Sequence, residues 1–585
     1  MNNAKDLVMI SIGPVQSYIT TARKTQDLYA ASQILSLFSQ KACQEAQTHN
    51  CEIISPSNIN STEGTPNHIV FLASAGKGSE VAREICKKIE EERERYSNQV
   101  KDYLKECAGG KVTYNEPLWD AQIQDWLELY WVSVTWDGLE ASYPQTYHTA
   151  SLALDGRKGV RWYPKAQEGN SSCTLCGLRS PVFIKGNIQK YTIPESILRE
   201  QERLCAVCLI KRLLPRIDST SFPMTPFPST ASIATARYRA EIERLAPTHQ
   251  EIENLNSKLK AIIQELGLSE TEGVCYFPDF WDAESIANET GKNLSPEKIN
   301  QASDTLKALN EHLAQYGTRF PRPKPYYAVL SMDGDHMGKL LDSADSIERH
   351  RQISAALAEL ATSFSQIIQD NLGKVVFSGG DDLLALLPVD TVLVCASAIS
   401  KAFHDKFVAI GFPGVSMSAG IAIGHYNAPL QTTIQKARSA LNTAKTTWER
   451  NALVMEVAKR SGESRQVGMK WDFPPEKITP LENIQLFIEA ISGGKVSGKL
   501  AYELWKELPA LTDSRDNPSF NWFRAELSRL LKRHSQEGWK TEAELKEWTE
   551  QLCNLWDFLS TKASKAEQIT QWLLVSRFLA EGEPL

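Results

Sequence analysis

The chain has 585 residues, with 64 Lys and Arg against 71 Asp and Glu and a formal net charge of −7. Apolar residues make up 42% and charged residues 23%, which excludes a disordered chain, a collagen-like fibre and a wholly basic nucleic-acid coat protein. A mildly acidic total leaves RNA binding open, because a local basic groove suffices. At about 150 residues per domain, the length predicts roughly three to five domains.

The first residues, MNNAKDLVMISIGPVQ, carry one cation before a short apolar run. That run is too short for a signal-peptide core and reads as a strand over 6–12, ended by Gly13-Pro14. Residues 15–45 follow with apolar side chains near helical spacing. His68–Ser74 reads as a second strand, 79–107 as a charged helix and 127–136 as a third strand, which together suggest a small α+β unit. Residues 137–240 read as irregular, and 241–265 and 295–315 as helical. Pro321, Pro323 and Pro325 form a stiff linker.

A second strand–helix series then begins. It runs through strand 326–332, helix 346–370, strands 374–377 and 382–387, helix 390–409, strand 415–423 and helix 429–448. The longest apolar stretch, Leu383–Ile399, is interrupted by Pro388, Asp390 and Thr391 and cannot span a membrane. Residues 471–585 read as mostly helical. There Trp505, Trp522, Trp539, Trp548, Trp556 and Trp572 lie on amphipathic patterns that point to a bundle core.

The chemistry concentrates in YYAVLSMDGDHMGKLL and VVFSGGDDLLALLP. Asp333 and Asp335 stand at the mouth of one strand, and Asp381 and Asp382 follow the Gly379-Gly380 turn of a hairpin. Asp and Gly also suit an ordinary turn. Asp333, Asp381 and Asp382, however, flank long apolar strands, where unpaired charge is costly without a counter-ion. Converging carboxylates suit Mg²⁺ or Mn²⁺, which take oxygen ligands and keep room for substrate phosphates. Paired cations of this kind serve displacement at phosphorus. Lys445, near the end of the helix that follows SMSAGIAIG, is the cation to set against a triphosphate.

Eleven cysteines include two CxxC pairs, Cys173/Cys176 and Cys205/Cys208, separated by residues 177–204. Two such knuckles present four thiolates, which predicts a closed, structural Zn²⁺ site with a sub-structure filling the long loop between them. The remaining seven cysteines are scattered singly, which agrees with a reducing, cytoplasmic compartment.

YAVLSMDGDHMGK, FSGGDDLLALLP and SMSAGIAIG…KARSALNTAK resemble the polymerase/cyclase palm shared with GGDEF diguanylate cyclases. With IGPVQSYITTARKTQDLYAASQILS, RNALVMEVAKRSGE and the paired cysteines, the chain more closely resembles the large subunit of type III CRISPR effector complexes, especially the Cmr (III-B) branch. The resemblance implies an α+β fold with two ferredoxin-like palms, a zinc-binding helical insertion and a C-terminal helical domain. The expected divisions are 1–140 (a degenerate first palm), 141–320, 321–465 (the palm with GGDD) and 466–585.

Carried over by position, the resemblance implies that Asp333, Asp381 and Asp382 hold metal. Gly334, His336, Met337, Gly338, Ser378, Gly379 and Gly380 would line the nucleotide, and Lys445 would meet its triphosphate. The implied activity is cyclic oligoadenylate synthesis from ATP, in a complex with other subunits, crRNA and target RNA. Diguanylate cyclases carry Glu where this chain has Asp382, and an Arg four residues after the helix lysine, where the nearest here is Arg450. Many relatives begin with an HD phosphohydrolase domain, whereas this chain opens on the first palm, so no HD DNase is expected. A non-catalytic scaffold and a stand-alone diguanylate cyclase are the competing readings. Intact aspartates argue against the first, and the tandem palms and cysteine knuckles against the second.

Overall fold

The computed structural model describes residues 4–59, 65–107, 114–160, 168–184, 193, 197–199, 201–222, 227–316, 320–379, 381–460, 462–471, 479–511, 520–536, 541–559 and 564–581. The first α+β unit is built on β1 (Lys5–Gly13), β2 (Glu52–Ser55), β3 (His68–Ser74) and β4 (Glu128–Trp136). They form an antiparallel sheet in the order β2-β3-β1-β4. β1 is apolar along its length because both its faces are covered. Val8, Ile10 and Ile12 pack with the helices Thr25–Thr48 and Gly78–Cys107. Leu7 and Met9 pack on the other side with Tyr143, Tyr147 and Leu154 of helix Tyr143–Gly159.

The anticipated helix over 15–45 is two helices, Gln16–Thr20 and Thr25–Thr48. Lys24 between them is extended, and its N–H donates to the Asp27 carboxylate at 3.3 Å, which caps the second helix. The region 137–240 is less irregular than its composition suggests: it holds helices Tyr143–Gly159, Ala206–Ile217, Thr230–Ala234 and the start of Ala236–Leu245. A strand pair, β5 (Phe183–Ile184) and β6 (Arg203–Leu204), lies in the cysteine-bearing segment.

The second unit carries β7 (Tyr326–Gly334), β8 (Lys374–Gly379), β9 (Asp382–Pro388), β10 (Met417–His425), β11 (Ala452–Ala458) and β12 (Ser464–Lys470). Their order is β12-β11-β10-β7-β9-β8, with β10 and β11 parallel and every other pair antiparallel. The parallel pair needs a crossover, which helix Leu430–Thr446 supplies. Helices Ile347–Asp370 and Val392–Ala409 cover one face through Phe364, Ile399 and Phe403. Tyr327, Val329, Leu384 and Leu386 on the opposite face share a core with the first unit. At the seam, the Ser57 N–H donates to Ser354 Oγ at 3.1 Å, and Arg351 pairs with Glu52.

Helices Pro480–Ser492, Lys499–Leu511, Phe520–His534, Glu542–Cys553 and Lys565–Glu581 pack at the β12 edge. Trp572 is fully buried there, and its indole N–H donates to the Gly468 carbonyl at 3.0 Å. Trp548 and Trp556 pack partly against the same core. Trp505 and Trp522 instead remain 45% and 63% exposed, which corrects their assignment to the bundle core. Trp539 lies outside the described residues. Among the described residues no helix is long and apolar enough to cross a membrane.

Candidate active site and tetracysteine module

The antiparallel register of β7 and β9 sets Asp333 directly opposite Asp382. Asp382 also faces Gly379 on β8, and Asp381 lies in the turn before it. The Gly334 N–H donates to the Asp381 carbonyl at 3.0 Å, which ties the end of β7 to that turn. Only glycine allows this approach, since a Cβ on Gly334 would stand 2.7 Å from Met337 Cγ and 2.9 Å from Asp381 Cβ. A Cβ on Gly379 would strike the Phe377 ring. Gly380 lies outside the described residues.

The helix Leu430–Thr446 delivers the cations. Gly420 on β10 lets that helix lie against the strand, since a Cβ there would come within 2.7 Å of Leu441 Cα. One turn on, Lys445 reaches Asp333 and forms an ion pair with it. Burial and the neighbouring Asp333 push the Asp381 carboxyl up to about 7. The same two causes push Asp382 up to about 6, opposed by Arg438 and by a hydrogen bond from Gln16. Lys436, on the same helix, pairs instead with Glu456 at 2.5 Å.

The other anticipated contact residues divide by exposure. His336 and Gly338 are exposed at the mouth, with open space beside Gly338. His336 adopts a left-handed backbone, and slight burial together with Arg450, Lys339 and Lys445 lowers its imidazole pKa. Met337 turns its side chain into the core, so only its backbone can face a ligand. Ser378 is buried, and its hydroxyl has no hydrogen-bond partner among the described residues. Asp335 faces away from Asp333, buried against Ser416, Ser418 and Asn451.

Hard oxygen donors in excess of neighbouring cations suit a divalent metal. The three carboxylates are not drawn as tightly together as a filled site, and Lys445 holds one of them. Among the described residues, only the four cysteines gather their ligand atoms within 4.8 Å of one another.

Sequence reasoning missed Gln16, which reaches Asp382 from the first unit. Nothing local marks it, because the partners lie in different units and meet only in the fold.

The tetracysteine module fits zinc on geometry. The first knuckle is closed by the Gly177 N–H donating to the Cys173 carbonyl at 2.9 Å, with Gly177 at φ +67°. The second opens helix Ala206–Ile217, whose N-cap is Cys205. Cys176 Sγ and Cys205 Sγ stand 3.8 Å apart. A tetrahedron with metal–sulfur bonds of about 2.3 Å has an edge of about that length.

The same helix clamps the first unit. The Lys211 ammonium donates to the carbonyls of Tyr18 and Thr21 at 2.5 and 2.9 Å. Arg212, 3% exposed, pairs with Asp27 at 2.6 Å and with Glu202 at 3.1 Å. The segment that carries Gln16 is therefore held from the cysteine side.

A family profile described as the second palm domain of Cas10/Cmr2 matches residues 326–454. One described as the N-terminal part of CRISPR-associated protein Cmr2 matches 7–101. The CRISPR system Cmr subunit Cmr2 of Pyrococcus furiosus is 26% identical over 550 aligned positions, covering 78% of this chain. This chain spans 62% of the length of that relative. The apo Type III-B Cmr-beta structure matches 99% of this chain and 82% of its own, with a TM-score of 0.66 and 15% identity. The form bound to cognate target RNA matches with a TM-score of 0.65, also at 15% identity, covering 99% of this chain and 83% of its own. At this identity the two structures establish a likeness of fold. Profiles seated on each α+β unit, and a Cmr2 relative aligned across both, make the chain a Cas10/Cmr2 homologue of the Cmr, type III-B, branch.

Proposed function

We propose that the second unit is a nucleotidyl transferase that joins ATP into cyclic oligoadenylate, switched on when target RNA occupies its complex. One observation supports this above the others: Asp333 and Asp382 sit in direct cross-strand register, with Asp381 adjacent and Lys445 above them. Asp333, Asp381 and Asp382 would hold Mg²⁺ or Mn²⁺, and the raised values of Asp381 and Asp382 reflect burial first and the charge of Asp333 second, both of which bound cations would offset. Bound there, the cations supply activation of a 3′-hydroxyl and charge neutralisation on departing pyrophosphate. Lys445 exchanges Asp333 for the triphosphate, and the backbone at Gly334, His336, Met337 and Gly338, with Ser378 and Gly379, lines the nucleotide. Zn²⁺ on Cys173, Cys176, Cys205 and Cys208 is structural, because all four positions are filled by protein.

The partners are the other subunits of a type III complex, crRNA and target RNA, in the cytoplasm. The relatives' names and the RNA-bound Cmr-beta structure support that reading. The test is reconstituted complex with ATP, Mg²⁺ and matching RNA, with products read by mass spectrometry. Cyclic adenylates are expected, and Asp381→Ala with Asp382→Ala should abolish them. A wild-type complex without such products, or a variant with undiminished yield, overturns the assignment.

A further inference from the structure

The crossover helix Leu430–Thr446 carries Gln431, Arg438 and Lys445 at intervals of seven residues. Seven residues fall only about 20° short of two turns, so the three share one face of the helix. At one end of that stripe Lys445 pairs with Asp333. In the middle, Arg438 is the cation whose charge acts most on Asp382. At the other end the Gln431 side-chain amide donates to the Leu175 carbonyl at 3.1 Å. Leu175 lies inside the first cysteine knuckle, between Cys173 and Cys176. Its side chain is buried and shares a core with Leu430, Ile434 and Ala437 of the same helix. The knuckle therefore seats the start of the helix whose end serves the acids. At 1.5 Å per residue, Gln431 and Lys445 stand about 21 Å apart on one continuous helix.

The second knuckle grips the other unit. Lys211 follows Cys208 by three positions on helix Ala206–Ile217. It is 1% exposed and forms no ion pair among the described residues. Its ammonium holds the carbonyls of Tyr18 and Thr21 and lies 4.2 Å from the centre of the Tyr18 ring. Tyr18 belongs to helix Gln16–Thr20 and Thr21 is its C-cap. Gln16, the first residue of that helix, reaches Asp382. Two arms thus lead from one cluster of cysteines to one carboxylate, one through each unit.

We propose that the four-cysteine module is the frame that registers the two units at the acidic site, with Gln431 and Lys211 as positioning residues, so that zinc on the cysteines and a magnesium–triphosphate at Asp333, Asp381 and Asp382 strengthen each other's binding. The inference rests on the nucleotidyl-transfer reading and gives the cysteine cluster a part in it beyond closing its own loop. A buried ammonium is costly unless charge nearby matches it. Four thiolates around one Zn²⁺ leave net negative charge beside Lys211, which supplies that match. The four-thiolate site has no open position for substrate, so the link runs through protein.

The zinc affinity of the full chain, measured by competition with a chromogenic chelator with and without saturating ATP in Mg²⁺, tests it. ATP should tighten zinc about tenfold in the wild type, within the usual range of coupling between sites. By reciprocity, Gln431→Ala should weaken ATP in titration calorimetry by about the same factor, while ATP should shift its zinc affinity by no more than about twofold. Lys211→Met should behave alike, and Gln431→Ala carries the test if that variant does not fold. Thr432→Ala, exposed and off the stripe, should keep the wild-type coupling. Equal tightening of zinc by ATP in the wild type and in Gln431→Ala would reduce the contact to a support of the fold, and overturns the proposal. A wild type that binds ATP with no change in zinc affinity overturns it as well. A wild type that binds no ATP overturns the functional reading itself.

Discussion

The close contact at Gly420 gives a sharp prediction. A methyl there would lie 2.7 Å from Leu441 Cα and nearer still to the Ala437 carbonyl and the Leu441 nitrogen, all backbone atoms of helix Leu430–Thr446. Backbone cannot step aside as a side chain can, so in Gly420→Ala the whole helix must retreat by about 1 Å, with an overpacking cost of about 1–3 kcal/mol. Lys445 stands one turn past Leu441, so the retreat lifts its ammonium from Asp333. A shift of about 1 Å at a reacting centre can cost on the order of a hundredfold in rate. Melting by calorimetry and ATP turnover of the assembled complex measure the two effects. Gly414→Ala, with nothing within 4 Å of its Cβ, is the matched control and should change neither. A Gly420→Ala protein with unaltered melting and full turnover would refute the claim that this strand–helix contact sets the site.

The raised carboxyls make a pH prediction. Asp381 at about 7 and Asp382 at about 6 hold their protons more tightly folded than unfolded. Their contribution is therefore fully present below about pH 4 and lost as pH rises through about 6 to 7. The metal-free chain should gain melting temperature from about pH 8 to about pH 5.5 relative to an Asp381→Asn, Asp382→Asn variant; parallel curves would contradict this. Gln16→Ala removes a hydrogen bond to Asp382 and should change the Mn²⁺ needed for half-maximal turnover by up to about tenfold. A superimposable metal titration would dismiss the contact. Elemental analysis should find one zinc per chain, and Cys208→Ser should lose it together with melting temperature, because binding free energy of a structural zinc is folding free energy. Metal-free wild type with the melting curve of the variant would discard the zinc assignment.

The strands that carry the acids were legible because both faces of their sheet are covered. β7 and β10 are buried almost throughout, which writes uninterrupted apolar runs into the sequence. The cysteine knuckles were legible through spacing alone. Helix Tyr143–Gly159 was not, since its buried Tyr143, Tyr147, Ala150 and Leu154 are set among small and polar residues that also suit a loop. The break at Lys24 depends on one carboxylate cap, which composition does not reveal. Trp505 and Trp522 show another limit: an amphipathic pattern marks a face but does not name what covers it. Asp333 and Asp335 crown one strand, and only the tertiary position of Ser416, Ser418 and Asn451 separates their surroundings.

The pairing of Lys445 with Asp333 makes the ammonium an internal competitor of any incoming divalent ion. A cation arriving alone must evict it and strand a positive charge, whereas a cation arriving with triphosphate offers that charge a new anion. On the proposed nucleotidyl-transfer reading, loading of the two would thereby be linked, each strengthening the other by the same factor, and the site would resist occupation by stray ions when no nucleotide accompanies them.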